Sequence, residues 1–208
     1  MKIAILGGSF NPVHLGHLHI AEQTQSLLGY EKILFVPAYI SPFKEKPMEV
    51  SNSERIRVLK KALQYNKHFQ IEDIEIKRKG LSYTYDTILY LNQKYKKKLQ
   101  KEEGIFQKIG LILGADLLPD FHKWHKYEKL AEMVHFILAK RHGSKIMEKD
   151  AEVQKAIEGF PFPYSFLENT FMDISSTDIR EKIQKGEDWQ SFLPKASVKY
   201  IEKKGLYA

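Results

Sequence analysis

The 208-residue chain contains no cysteine. Disulfides and thiolate-bound zinc are therefore excluded, and a cytoplasmic setting fits. No apolar run approaches the ~18 residues of a membrane span, so no membrane partner is expected. The N-terminus enters an apolar segment at once, without the layout of a signal peptide. Internal repeats and low-complexity linkers are also lacking. What remains is ordinary for a globular chain, at 43% hydrophobic and 28% charged residues. The length suits a single domain with a sizeable core.

The formal net charge is +7, which favours anionic partners in general. Much of the excess sits in the lysine-rich stretch 94–101 and around Lys195, Lys199, Lys203 and Lys204. These read as solvated helix faces. Stacking aromatics are not interleaved with them and no nucleic-acid-binding motif is visible, so no nucleic acid is expected.

Short apolar runs alternate with helical patterns. Ile3–Leu6, Ile33–Val36, Ile109–Leu113 and Val134–Ala139 read as buried strands, with Phe166–Met172 as the last. Leu15–Leu28 reads as a helix with Gly29 as its C-cap. Residues 38–50 read as a loop. Ser51 and Glu54 resemble a capping box opening a helix with the apolar stripe Ile56, Leu59 and Leu63. FQIEDIEIK (69–77) alternates with a phase slip, which predicts a bulged strand. Thr84 is the expected cap of the helix holding Ile88 and Leu91. Residues 94–104 read as a charged connection and 189–194 as a loop, followed by a terminal helix from Ser197 to Lys204. This order predicts an α/β fold, a Rossmann-like doubly wound parallel sheet with helices on both faces. Ligands of such sheets bind beyond the carboxyl ends of the strands.

Candidate site residues follow those strand ends. Gly7 and Gly8 close the first strand, with Ser9 and Phe10 next, then His14 and His17 flanking Gly16 at a helix start. A helix N-terminus offers free N–H groups and a positive dipole end to phosphate. Zinc binding by the pair and core histidines satisfied by backbone are the alternatives; with no evident third ligand, no metal site is predicted. Near the other end stand Ile174, Ser175, Ser176 and Thr177, with Arg180 one turn on. A phosphate cradle and a plain N-cap both fit them.

The segment GGSFNPVHLGH (7–17) resembles the His-x-Gly-His signature of the nucleotidyltransferase superfamily, and ISSTDIR (174–180) resembles its Ile-Ser-Ser-Thr-x-Ile-Arg element. Within it, Ser82-Tyr83-Thr84, Gly114-Ala-Asp116, the Phe121…Trp124…Tyr127 run and Arg141 resemble nicotinate-nucleotide adenylyltransferase. Asn11 stands where that family commonly has aspartate. Lys44 matches a Pro-Pro-His-Lys element of which only Pro42 and the lysine remain.

The resemblance implies adenylyl transfer from ATP to nicotinate mononucleotide, a step of NAD biosynthesis. It implies catalytic roles for His14, His17, Lys44 and Arg180. ATP would be bound by Gly7, Gly8, Ser9, Phe10, His14, His17, Asp116, Arg141, Ile174, Ser175, Ser176, Thr177 and Arg180. The mononucleotide would meet Ser9, Lys44, Tyr83, Thr84, Gly114, Asp116, Trp124 and His125, with Trp124 stacked on the pyridine. Mg²⁺ would accompany ATP. A homo-oligomer stays open. So do a core role for Trp124, a capping role for Asp116, and a surface position for Lys44. Other readings are a nicotinamide mononucleotide or pantetheine phosphate acceptor, and a non-catalytic nucleotide- or RNA-binding protein on the same fold.

Overall fold

The computed structural model describes residues 1–42, 50–99, 101–102, 105–139, 147–167 and 174–208, excepting the side chains of 101–102, 105–106 and 147–150. Strand β1 (Ile3–Gly8) leads through helix α1 (Leu15–Leu28) to β2 (Lys32–Pro37). Helix α2 (Asn52–Leu63), β3 (Phe69–Ile71), α3 (Ile74–Arg78) and α4 (Thr84–Tyr95) follow. A short antiparallel pair, β4 (Lys101–Glu102) and β5 (Ile105–Phe106), precedes β6 (Ile109–Gly114). Two 3-10 turns, Ala115–Leu117 and Phe121–Lys123, lead to α5 (Tyr127–Met133) and β7 (Val134–Ala139). The chain ends with α6 (Met147–Glu158), β8 (Tyr164–Leu167), α7 (Ser176–Lys185), a 3-10 turn at Gln190–Phe192 and α8 (Lys195–Lys204).

Six strands form one parallel sheet in the order β3-β2-β1-β6-β7-β8. The strands are apolar on both sides because both sides are covered. Ala4, Leu6, Ile33, Phe35, Ile112 and Ile137 pack with α1, α2, α7 and α8. Ile3, Ile5, Leu34, Val36, Leu111 and Leu113 pack with α4, α5 and α6. The strand order reverses between β1 and β6, so their carboxyl ends diverge into a crevice. Gly8 and Gly114 close the two strands that border it.

Helix α1 has its expected bounds, and Gly29 caps it at φ 68°. Four expectations are corrected. The stretch 69–77 is not one bulged strand. Pairing stops when the Glu72 N–H donates to Phe35 O at 2.9 Å. Two residues on, β2 reaches Pro37, which has no N–H for a partner, and the chain turns into α3 instead. On α2, Val58 joins Leu59 and Leu63 inside, together with Arg55, while Ile56 is only half-buried. The N-cap of α4 is Tyr83, and Thr84 is its first residue. The last strand is Tyr164–Leu167; residues 168–172, which the expectation included, lie outside the described part. Helix α4 also runs into the expected connection as far as Tyr95, and α8 begins two residues early, at Lys195.

Candidate active site

His14 is the N-cap of α1, extended at φ −136° and ψ 170°. Its N–H donates to Nδ1 of His17 at 3.2 Å, and its own side chain faces the N3 backbone in return. The result is a capping box made of two imidazoles, their centroids 3.7 Å apart. A neutral imidazole accepting at Nδ1 carries its proton at Nε2. His17 therefore presents an Nε2–H donor on the far side of its ring.

A Cβ on Gly16 would lie 3.0 Å from His14 Nδ1 and 3.2 Å from Cε1. The glycine between the histidines makes room for the His14 ring. Phe10 braces His17 edge-on at 5.1 Å. It is 1% exposed, so its ring belongs to the core, and its φ of 45° is a strained value for a side-chain-bearing residue. Its contribution to the loop is shape.

The second motif docks onto the first. Ser176 Oγ donates to Pro12 O at 2.9 Å, across 164 residues. Arg180 Nη1 donates to Asn11 O at 2.8 Å and to Ser176 O at 3.0 Å, and its Nη2 donates to Thr177 Oγ1 at 3.3 Å. The N-termini of α1 and α7 thus open on one loop, and their N–H groups and dipoles favour an anion there.

Ser175 is engaged in capping α7. Its Oγ accepts the Asp178 N–H at 3.1 Å and donates to Asp178 Oδ2 at 2.7 Å. Ile174 is a core residue. Asn11 is buried, and its Oδ1 accepts no hydrogen bond from the described residues. An aspartate there would bury a charge without a partner, which the amide avoids.

Behind the loop stands Arg55, 1% exposed. Its Nη1 donates to Ser9 O. Its Nη2 donates to Ala38 O and Asn52 Oδ1, each at 2.6 Å. The Ala38 N–H in turn donates to Gly8 O at 2.9 Å. One guanidinium therefore ties the carboxyl ends of β1 and β2 together. Burial pushes its pKa down to about 10. Among the described residues no carboxylate pairs with it. Its charge adds to the positive field at the Gly7-Gly8-Ser9 loop. No motif announces Arg55; the visible signal is a cation three and four residues before Val58 and Leu59, on the buried stripe.

Across the crevice, Gly114 ends β6 and the exposed Asp116 follows it. Tyr83, at the head of α4, stacks on His125 with centroids 4.4 Å apart and planes 29° apart. The half-buried Trp124 lies against Phe121 at 5.5 Å. Thr84 opens α4, so its N–H has no partner within the helix.

Of the residues predicted for the mononucleotide, Tyr83 and His125 are brought into contact from two chain segments, with Thr84 and Trp124 next to them in the chain; Ser9 follows β1, and Gly114 and Asp116 stand at the end of β6. Glu75, also missed in the sequence, is buried beneath them. Lys44 and Arg141 lie outside the described residues. No group of three or more His, Cys, Asp or Glu side chains able to hold a metal occurs among the described residues, and no helix among them is long and apolar enough to cross a membrane.

Residues 5–182 match the Cytidylyltransferase-like family. A chain from Treponema pallidum named "Probable nicotinate-nucleotide adenylyltransferase" is 38% identical over 208 residues, covering all of this chain and 99% of its own. Another of that name, from Clostridium tetani, is 36% identical over 206 residues, 99% of this chain and 98% of its own. Among solved structures, the Plasmodium falciparum nicotinic acid mononucleotide adenylyltransferase complexed with NaAD has a TM-score of 0.74 at 21% identity, covering 99% of this chain and 97% of that one. The last likeness establishes the fold.

Proposed function

The chain belongs to the nicotinate-nucleotide adenylyltransferase family of nucleotidyltransferase enzymes, and from that premise we propose that it transfers the adenylyl group of ATP to nicotinate mononucleotide. The observation that carries the reading is the docking of α7 on the β1–α1 loop, through Arg180 on Asn11 O and Ser176 on Pro12 O. It turns two helix N-termini on a single crevice where a polyphosphate fits.

In this reading a phosphate oxygen of the mononucleotide attacks the α-phosphorus of ATP. The bond to the bridging oxygen breaks, and pyrophosphate leaves. The nucleophile is already anionic, so alignment and charge stabilisation suffice. His14 and His17 face the α-phosphate and the leaving group, with the Nε2–H of His17 as a preorganised donor. Arg180 and the start of α7 serve the triphosphate, and Lys44 and Arg141 add cations. Asp116 meets ribose. Trp124 stacks on the pyridine, whose carboxylate accepts from the N–H groups of Thr84 and His125. Residues 1–208 act as one catalytic domain in the cytoplasm. Mg²⁺ enters as the counter-ion carried by the ATP phosphates, and no step runs through a protein-built cage.

The test is pyrophosphate release from ATP and Mg²⁺ with nicotinate mononucleotide, nicotinamide mononucleotide and pantetheine phosphate in parallel. The expected result is turnover with the acid, a product of dinucleotide mass, and kcat/KM about a hundredfold lower with the amide, whose NH₂ would face N–H donors. Absence of pyrophosphate with either pyridine mononucleotide overturns the activity. Equal kcat/KM values overturn the acid preference alone.

A further inference from the structure

Glu75 is a buried acid that the proposed reaction does not use. It sits on α3, 7% exposed, on the protein side of the Ser82-Tyr83-Thr84 segment. Thr87 Oγ1 donates to its Oε1 at 2.6 Å, and the nearby Ser82 hydroxyl favours its ionised form. Those hydroxyls flank Tyr83 and Thr84 on either side.

Each hydroxyl is committed elsewhere as an acceptor. Ser82 Oγ accepts the Tyr39 N–H at 2.9 Å, and Thr87 Oγ1 accepts from Arg78 Nη2 at 3.3 Å. Each has one proton to give. Thr87 has a second acceptor within reach, Tyr83 O at 3.3 Å, but the shorter bond to a carboxylate is the stronger. Tyr83 O keeps the Thr87 N–H at 3.3 Å and Arg78 Nη2 at 3.5 Å. A carboxylate accepts the Thr87 proton without offering one of its own.

We infer that Glu75 is a positioning residue for acceptor binding: by accepting from Thr87 it fixes the head of α4, and with it the Tyr83 ring on His125 and the N–H of Thr84. The inference rests on the assignment of Tyr83, Thr84 and His125 to the mononucleotide.

The energetics support a functional reason for the acid. Burial pushes the Glu75 carboxyl above the usual carboxylate range, with Thr87, Ser82 and the Arg78 guanidinium pulling it back. A raised pKa means that the ionised form costs folding stability once pH rises through it. Removing the charge should therefore not unfold the protein.

The test compares Glu75→Gln and Thr87→Val with the unaltered enzyme by steady-state kinetics in both substrates, alongside thermal melting. Glutamine keeps the shape but turns one acceptor into a donor facing a hydroxyl. The expected result is a KM for nicotinate mononucleotide raised about tenfold and a KM for ATP within twofold, in a variant whose melt still shows a cooperative folded state. Thr87→Val should give the same split, and Glu75→Asp should recover part of it.

Unchanged KM values in both variants, or equal rises for both substrates, overturn the inference and leave the activity standing. If Glu75→Gln does not fold, the Thr87→Val split decides. An unaltered enzyme without turnover overturns the activity and this inference together.

Discussion

Adding one methyl group to Gly16 should separate stability from activity. Gly16 is the second residue of α1, a position where alanine is favoured over glycine by roughly 0.5–1 kcal/mol. Its Cα carries no left-handed φ, so alanine meets no backbone strain there. The added Cβ would lie 3.0 Å from His14 Nδ1 and 3.2 Å from Cε1, closer than carbon normally approaches.

Relief has to come from the His14 ring, which is buried and lies 3.7 Å from the His17 ring. A shift of a few tenths of an ångström moves both imidazoles away from the phosphate position. Misplacements of about 1 Å cost on the order of a hundredfold in rate, so this smaller one should lower kcat about tenfold. The melting temperature should hold or rise by about 2 °C. Pyrophosphate release at saturating substrates, read beside a thermal melt, checks both. A kcat equal to the unaltered enzyme's would refute the ring-displacement argument. A fall in kcat together with a lower melting temperature would refute the claim that the damage is confined to the histidines.

Arg55→Met leaves the carbonyls of Ser9 and Ala38 without their shared donor, at about 1–3 kcal/mol for each buried acceptor, partly offset by removal of a buried charge. KM for ATP should rise more than KM for the mononucleotide, with a lower melting temperature; equal rises in steady-state assays would rule out a clamp specific to the glycine loop. Trp124→Ala should raise KM for the mononucleotide about fivefold, from the roughly 1 kcal/mol of stacking, and leave KM for ATP alone. A drop in melting temperature with both constants unchanged would make Trp124 a wall of the core beside Phe121.

The legible parts of the site were those written contiguously. His14, Gly16 and His17 occupy a single turn and Ser175–Arg180 fewer than two, so spacing alone places their side chains together. The sheet was legible because strands buried on both faces become unbroken apolar runs, as in Ile109–Leu113. What escaped depends on contacts across the chain. FQIEDIEIK alternates like a strand, yet its second half had no strand to pair with once β2 reached Pro37. That misreading hid Glu75, whose meaning comes from Thr87 on the next element. Arg55 broke the expected stripe of α2, and its reason lies in two carbonyls 46 and 17 residues away.

The ionic groups that shape the crevice mostly bind the protein itself. Arg180 holds Asn11 O and Arg55 holds Ser9 O, so two cations grip the β1–α1 loop by its carbonyls. A loop left loose has to be ordered each time a ligand binds, at a cost in entropy. Fixing its carbonyls beforehand transfers that cost to folding. On the acceptor side the anchor is a buried acid: the Glu75 carboxyl takes the Thr87 hydroxyl one turn beyond Tyr83 and Thr84. The two halves of the crevice are thus ordered by separate anchors on separate elements, α2 and α7 for one and α3 for the other. That separation is why a change at an anchor should show in the KM of one substrate and spare the other.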